Sequence, residues 1–235
     1  MLYRPKITHV IFDLDGTLLD SEEIYTKANK ETLEKFGVDG NLFTVSIKFG
    51  MAGKKQQEAI KFLLQKLELS DKITIEDYKK CYDESLEELL PTAKLLPGAV
   101  EIVEYFKKNN IPLAISTGSN ECEFKLKTKN HQELIRNFET IVLCGSDPEV
   151  RFGKPHPDAF IVTMNRFSRI PESPMNCLVF EDAPNGVYAG VSARCQVIMI
   201  PQYEDSQIED AKKKATKVLG SLSEFDPAEF MLPPM

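Results

Sequence analysis

The sequence has little of what soft metals prefer. Only three histidines occur among 235 residues, His9, His131 and His156, and they show no metal-ligand spacing. A zinc site is therefore not expected. The five cysteines, at 81, 122, 144, 177 and 195, are odd in number and include no Cys-x-x-Cys pair. Reduced thiols of a cytosolic protein are expected, most of them packing as small hydrophobes. No apolar run approaches transmembrane length, and the opening "MLYRPKITHV" lacks the apolar core of a secretory signal. Positive charge is in deficit, 29 Lys and Arg against 36 Asp and Glu for a net −7, which gives no support to a nucleic-acid or anionic-membrane partner. Internal repeats and low-complexity tracts are missing too.

What remains is an ordinary globular composition, 42% hydrophobic and 28% charged, long enough for one large domain or two modest ones. Apolar strand-like runs occur at 7–13, 111–117, 139–145, 176–182 and 196–201, with a weaker one at 216–220. Helical patterns at 98–110, 120–136, 157–168 and 184–194 separate them. This alternation predicts an α/β fold, a doubly wound parallel sheet with helices on both faces. Residues 19–95 differ. They carry helix-length patterns at 22–36, 54–67 and 74–90 and no convincing strand. Ile60, Leu63, Leu64 and Leu67 have the spacing of a helical core face. The expectation is an all-helical insert between the first and second strands, with Pro97 and Gly98 marking the return to the sheet.

The first strand raises the functional question. In "VIFDLDGTLLD" (10–20), apolar residues run into Asp13 and Asp15 before Gly16 breaks the chain. Side chains two apart on an extended segment project the same way, so both carboxylates should share one side of the strand's carboxyl end, where open α/β sheets bind ligands. Two close carboxylates repel unless a cation or proton intervenes. A hard divalent ion with oxygen ligands, Mg²⁺, is the simplest resident. An isolated Asp-x-Asp-Gly is more often plain turn chemistry. A calcium loop of the EF-hand kind fails, because Ile11 would have to be its first ligand and a strand precedes it.

Later strands also end in chemistry. "AIST" finishes in Ser116 and Thr117, and Gly118 follows, a hydroxyl and a flexible backbone able to cradle phosphate. "GKPHPD" (153–158) places Lys154 in a loop that opens a helix at Pro157. It is no Walker loop, since Pro155 follows the lysine. "VFED" ends in Glu181 and Asp182, a second acidic pair. Each stretch alone has a bland reading. Two acidic pairs, a threonine and a lysine on one sheet edge are harder to dismiss.

"DLDGTLLD", "STGS", "GKPHPDAF" and "FEDAPNGVYAG" together resemble the four ordered motifs of the haloacid dehalogenase superfamily, in its phosphatase and phosphomutase branch. "GKKQQEA", "FKLKTKNH", "DPEVRFGKP" and "CLVFEDAPNGV" resemble in addition the pseudouridine-5′-phosphatase group and its near relatives. The resemblance implies a Rossmann-like α/β catalytic core over 1–18 and 96–235, with 19–95 as a helical cap. It implies that Asp13 is the nucleophile that forms an aspartyl-phosphate and Asp15 the general acid/base. Asp13, the backbone carbonyl of Asp15, and Asp182 would hold Mg²⁺, with Glu181 in support. Thr117, Gly118 and Lys154 would grip phosphate. Within the cap, "FGMAGKK" (49–55) reads independently as a Gly-rich loop opening a helix, which makes Gly53 and Lys54 substrate-contact candidates, with a solvated surface lysine as the plainer reading. The implied partner is a small phosphorylated metabolite such as a nucleoside or sugar phosphate, pseudouridine 5′-phosphate among them, handled by a monomer. A sugar phosphomutase, a polyol-phosphate phosphatase and a non-catalytic binding protein are the alternatives. The chain departs from the family at Gly118, where relatives commonly carry Ser, and at Arg194, where a Gly often ends the helix.

Overall fold

The computed structural model describes residues 5–51, 56–203 and 206–235. The chain opens with strand β1 (His9–Phe12), a short β2 (Leu19–Asp20), and helices α1 (Glu22–Lys35), α2 (Val45–Met51), α3 (Gln56–Lys66) and α4 (Ile75–Leu89). Strand β3 (Lys94–Leu95), α5 (Ala99–Lys108), β4 (Leu113–Thr117), α6 (Glu121–Thr128), α7 (Gln132–Ile135) and β5 (Thr140–Leu143) follow. The remainder is α8 (Asp158–Arg166), β6 (Cys177–Glu181), α9 (Pro184–Ser192), β7 (Gln196–Met199), α10 (Ser206–Lys214) and β8 (Lys217–Val218). Two compact units result, Met1–Asp20 with Lys94–Met235, and Ser21–Ala93.

The first unit is the expected parallel sheet, in the order β5-β4-β1-β6-β7-β8. Its strands alternate their side chains between two cores. Val10 and Phe12 of β1, Ile115 of β4 and Phe180 of β6 face α5 and the C-terminal segment, where Phe106, Phe225 and Phe230 pack. Ile11, Ala114 and Val179 face the opposite layer with Phe160, Met164, Val187 and Ile208. The Phe12 and Phe180 rings stack at 4.7 Å between centroids. Burial on both faces explains why β1 and β6 read as continuous apolar runs.

The second unit is helical. Leu33, Phe43, Ile47, Ile60, Leu63, Leu64 and Tyr78 form its core, with Leu67 half-buried beside them. Thr74 caps α4 by accepting from the Asp77 N–H at 3.0 Å, and buried Tyr78 donates its hydroxyl to Asn29 Oδ1 at 3.1 Å.

Three local features differ from the sequence expectation. Leu19–Asp20 and Lys94–Leu95 pair antiparallel, a two-residue ladder too short to show periodicity. The expected helix over 120–136 is two helices, because the chain turns at Lys129–Asn130 before α7 begins. Helix α10 supplies the buried Ile208 and Ala211 to the second core.

Helix α9 ends in a Schellman motif. The Cys195 N–H donates to the Gly190 carbonyl and the Arg194 N–H to the Val191 carbonyl, which puts Arg194 at the left-handed position with φ +64°. A side chain there costs about 1–2 kcal/mol, partly offset in a replacement by the extra chain entropy of glycine, about 0.5–1 kcal/mol. Arg194→Gly should therefore raise the melting temperature by roughly 1–4 °C for a chain of this size. An unchanged or lower melting temperature in a thermal scan would contradict this account of the cap.

Candidate active site

Three neighbouring strands deliver the site. β1 lies between β4 and β6, with Phe12 in register with Ile115 and Phe180. Asp13 therefore emerges beside Ser116 and Glu181, and its N–H donates to the Phe180 carbonyl at 2.9 Å. Strand order diverges here, β4 and β5 to one side, β6, β7 and β8 to the other. Such a switch point at strand carboxyl ends is where α/β sheets open a crevice.

Lys154 binds the first set of residues together. Its Nζ donates to Asp13 Oδ1 at 2.6 Å, Glu181 Oε1 at 2.6 Å and the Ser116 carbonyl at 3.0 Å, and lies 5.1 Å from the centre of the Phe160 ring. The other Glu181 oxygen accepts from the Asp182 and Ala183 N–H groups, both at 3.1 Å, just before α9. Gly186 makes this approach possible, since a Cβ there would stand 1.7 Å from Glu181 Oε1. Burial works against the Lys154 ammonium, but the Asp13 and Glu181 carboxylates outweigh it and hold its pKa above the ordinary lysine value. Asp13 goes the other way: burial first, then the Glu181 and Asp15 carboxylates, push it up to about 7 against the pull of Lys154.

Asp15 turns to a different set. Its Oδ2 accepts from Ser119 Oγ at 3.0 Å and Thr117 Oγ1 at 3.3 Å, and its Oδ1 from Lys127 Nζ at 2.5 Å. Asp13 and Asp15 are close enough to repel, yet the hydrogen bonds described for the two carboxylates run to different side chains. The strand ends at Phe12, and the loop re-aims Asp15. Gly16 sits at φ +73° with the Asp182 carboxylate against it, so that a Cβ would fall 2.2 Å from Asp182 Oδ2. Gly118 has open space around it, and a side chain there would meet nothing within 4 Å. Gly53 and Lys54 lie outside the described residues.

Sequence reasoning missed Lys127 and Ser119. Lys127 was one of three lysines in "FKLKTK" (124–129), but it stands three residues after Phe124, which packs against the first core, and next to buried Thr128. That helical phase was the available signal.

Among the described residues, no group of three or more His, Cys, Asp or Glu side chains is arranged to hold a metal. Lys154 occupies the point between Asp13 and Glu181, and Lys127 engages Asp15. The Asp13 and Asp182 carboxylates and main-chain oxygen of the loop that carries Gly16 are the hard donors the site could offer a cation. A hard, mostly hydrated ion such as Mg²⁺ asks for no more than one or two carboxylates. Four carboxylates accompany two ammonium groups here, a surplus of acid that suits a divalent cation. The donor set fits.

The raised Asp13 carboxyl makes stability depend on pH. Its folded value of about 7 exceeds the unfolded value of about 3.9, so folding takes up a proton between the two and stability falls as pH rises through that window. In excess chelator, the melting temperature of Asp13→Asn relative to the parent should climb between pH 4 and pH 7 and level off above. A difference that stays flat across this range would rule out the buried, proton-hungry carboxyl.

Similar proteins bear on what such a site is for. The family model for haloacid dehalogenase-like hydrolases matches residues 7–194. (DL)-glycerol-3-phosphatase 2 of Arabidopsis thaliana is 38% identical over 98% of this chain and 94% of its own. The "Probable pseudouridine-5′-phosphatase" of Drosophila melanogaster is 39% identical over 97% and 95%. A HAD family hydrolase from Deinococcus radiodurans R1, crystallised with bound phosphate and sodium, superposes with a TM-score of 0.75 over 98% of this chain and 99% of its own, at 24% identity. With a matching model over most of its length and near-full-length phosphatase relatives, the chain belongs to the haloacid dehalogenase-like hydrolases and is a phosphomonoester hydrolase.

Proposed function

We propose that the protein is a Mg²⁺-dependent phosphatase of small phosphomonoesters that works through an aspartyl-phosphate on Asp13. The observation that carries this reading is the separation of two neighbouring carboxylates into different partner sets, Asp13 with Lys154 and Glu181, Asp15 with Thr117, Ser119 and Lys127. One is placed as a nucleophile and the other as an acid/base.

With Oδ1 tied to Lys154, Asp13 attacks phosphorus through Oδ2 as the ester oxygen departs. Asp15 gives its proton to that alkoxide. In the second half, Asp15 takes a proton from water as the water attacks phosphorus, which returns the Asp13 carboxylate and inorganic phosphate. Lys154 and Thr117, with the Gly118 backbone, grip the phosphoryl oxygens. Asp13, the Asp15 main-chain carbonyl and Asp182 would hold Mg²⁺, which supplies neutralisation of phosphoryl charge. Glu181 serves by fixing Lys154.

The substrate class follows from the relatives. Glycerol 3-phosphate and pseudouridine 5′-phosphate, the compounds in their names, share a primary phosphate ester on a hydroxylated carbon chain. We assign this protein to that class. The phosphoryl machinery lies within the first unit, so choice of the leaving group falls to the helical unit acting as a cap. All assigned residues come from one chain, in keeping with a monomer. Free thiols at Cys81, Cys122, Cys144, Cys177 and Cys195 suit a reducing, cytosolic setting. No helix among the described residues is long and apolar enough to cross a membrane.

Phosphate release from glycerol 3-phosphate and from pseudouridine 5′-phosphate should stop in excess chelator and return with Mg²⁺. Asp13→Asn should leave no hydroxylamine-labile phosphoryl adduct in mass spectrometry after rapid acid quenching, whereas Asp15→Asn should lower kcat by ~10²–10⁴-fold. Turnover without divalent metal, or an adduct on another residue, would sink the proposal.

A further inference from the structure

Lys127 has no role in the chemistry as described so far, yet its placement is costly. Its side chain is fully buried, and its Nζ donates to Asp15 Oδ1 at 2.5 Å and to Ser119 Oγ at 2.7 Å. An ammonium removed from water is tolerated only beside a partner charge, and well-packed apolar residues usually serve stability as well as a buried pair does. Stability alone therefore gives no reason for lysine here.

The local structure delivers this side chain with little freedom. Helix α6 starts directly after Asn120, whose side chain accepts from the Glu123 N–H while Glu123 accepts from the Asn120 N–H, closing a capping box. Phe124 anchors the same helix to the first core. Helical side chains lean toward the N-terminus, so Lys127, two turns in, reaches back along α6 to Ser119 and the end of β4. There it closes a network. Ser119 Oγ touches Thr117 Oγ1 at 3.0 Å, and both hydroxyls reach Asp15 Oδ2. Both Asp15 oxygens are then held from the protein side, while the Asp15 side chain keeps 20% of its surface exposed.

We propose that Lys127 is a positioning residue for Asp15: its ammonium, with Ser119 and Thr117, locks the carboxylate in the one orientation that proton transfer to and from the phosphoryl site requires. This rests on Asp15 being the acid/base. Being enclosed, Lys127 does not itself meet substrate. Its contribution is to the rate of proton transfer and not to substrate binding.

The test is a double-mutant cycle of Lys127→Met and Asp15→Asn, with p-nitrophenyl phosphate and glycerol 3-phosphate as probes at saturating Mg²⁺. Lys127→Met keeps the length of the side chain and leaves Asp15 able to be solvated. We expect kcat to fall roughly 10–100-fold with KM within about threefold, and Asp15→Asn to lose no more than about a further threefold when Lys127→Met is added. Lys127→Gln, which can still donate to Ser119, should recover part of the rate; it also carries the test if the methionine variant melts far below the parent. A kcat within about threefold of the parent in a folded variant, losses that multiply in the double variant, or a rise in KM that accounts for the whole effect would overturn the proposal. If Asp15→Asn itself keeps full activity, the acid/base assignment fails first and this inference with it. An Asp15→Asn loss beside an intact Lys127→Met rate refutes the inference alone.

Discussion

The meeting of three strands at the sheet's carboxyl edge depends on one largely enclosed ammonium. Lys154 sits within 2.6 Å of Asp13 and of Glu181 and also binds the carbonyl of Ser116, so a single cation ties together the ends of β1, β6 and β4. Without it, parallel strands that each finish in an acid would bring like charges into a desolvated space. The residues around it serve that arrangement. Phe160 presents a ring to the ammonium, the N–H groups before α9 hold the second Glu181 oxygen, and Gly186 leaves the room the whole carboxylate needs.

The same edge solves a second problem, how two carboxylates two residues apart come to do different work. If both stayed on an extended strand they would compete for one cation. Instead the chain leaves the strand at Phe12, and Gly16 adopts a left-handed conformation that few other residues accept. Asp13 remains under Lys154, and Asp15 swings to Thr117, Ser119 and Lys127. Environment then separates them. One is enclosed, with its carboxyl pushed up to about 7 by burial. The other is partly exposed and wrapped in hydroxyl donors. On the proposed mechanism, a phosphoryl group approaching this edge would meet a nucleophile and a proton carrier already sorted by their neighbours, which is the positioning that phosphoryl transfer relies on.

Such a site is bought at the expense of stability. Buried carboxylates and lysines are poor core material compared with the phenylalanines stacked beneath them, and a protein tolerates them where activity needs them. Behind the site, Phe12 and Phe180 of β1 and β6 pack with Phe106 of α5 and Phe225 of the C-terminal segment in one aromatic layer. The strands that deliver the acidic side chains thus also carry fully buried aromatic residues of the first core.

The sequence by itself determined the class of the fold. Runs of apolar residues alternating with helical spacing could only be buried as a parallel sheet between helices, and the strand-free stretch that follows β1 could only be a helical insert. It also displayed most of the chemistry-bearing residues, because Asp13, Asp15, Thr117, Lys154, Glu181 and Asp182 all stand at the ends of recognisable strands or in the loop before a helix. Tertiary structure decided who pairs with whom. The contact between Lys127 and Asp15 spans 112 residues, and helical phase in "FKLKTK" can mark Lys127 as inward-facing but cannot name its partner until α6 is docked on the core. The two-residue β2–β3 ladder and the break between α6 and α7 were equally hidden. Periodicity reports which face of an element is buried, a local property. Side-chain pairing depends on which elements are brought together and in what register, and only the packed chain sets that.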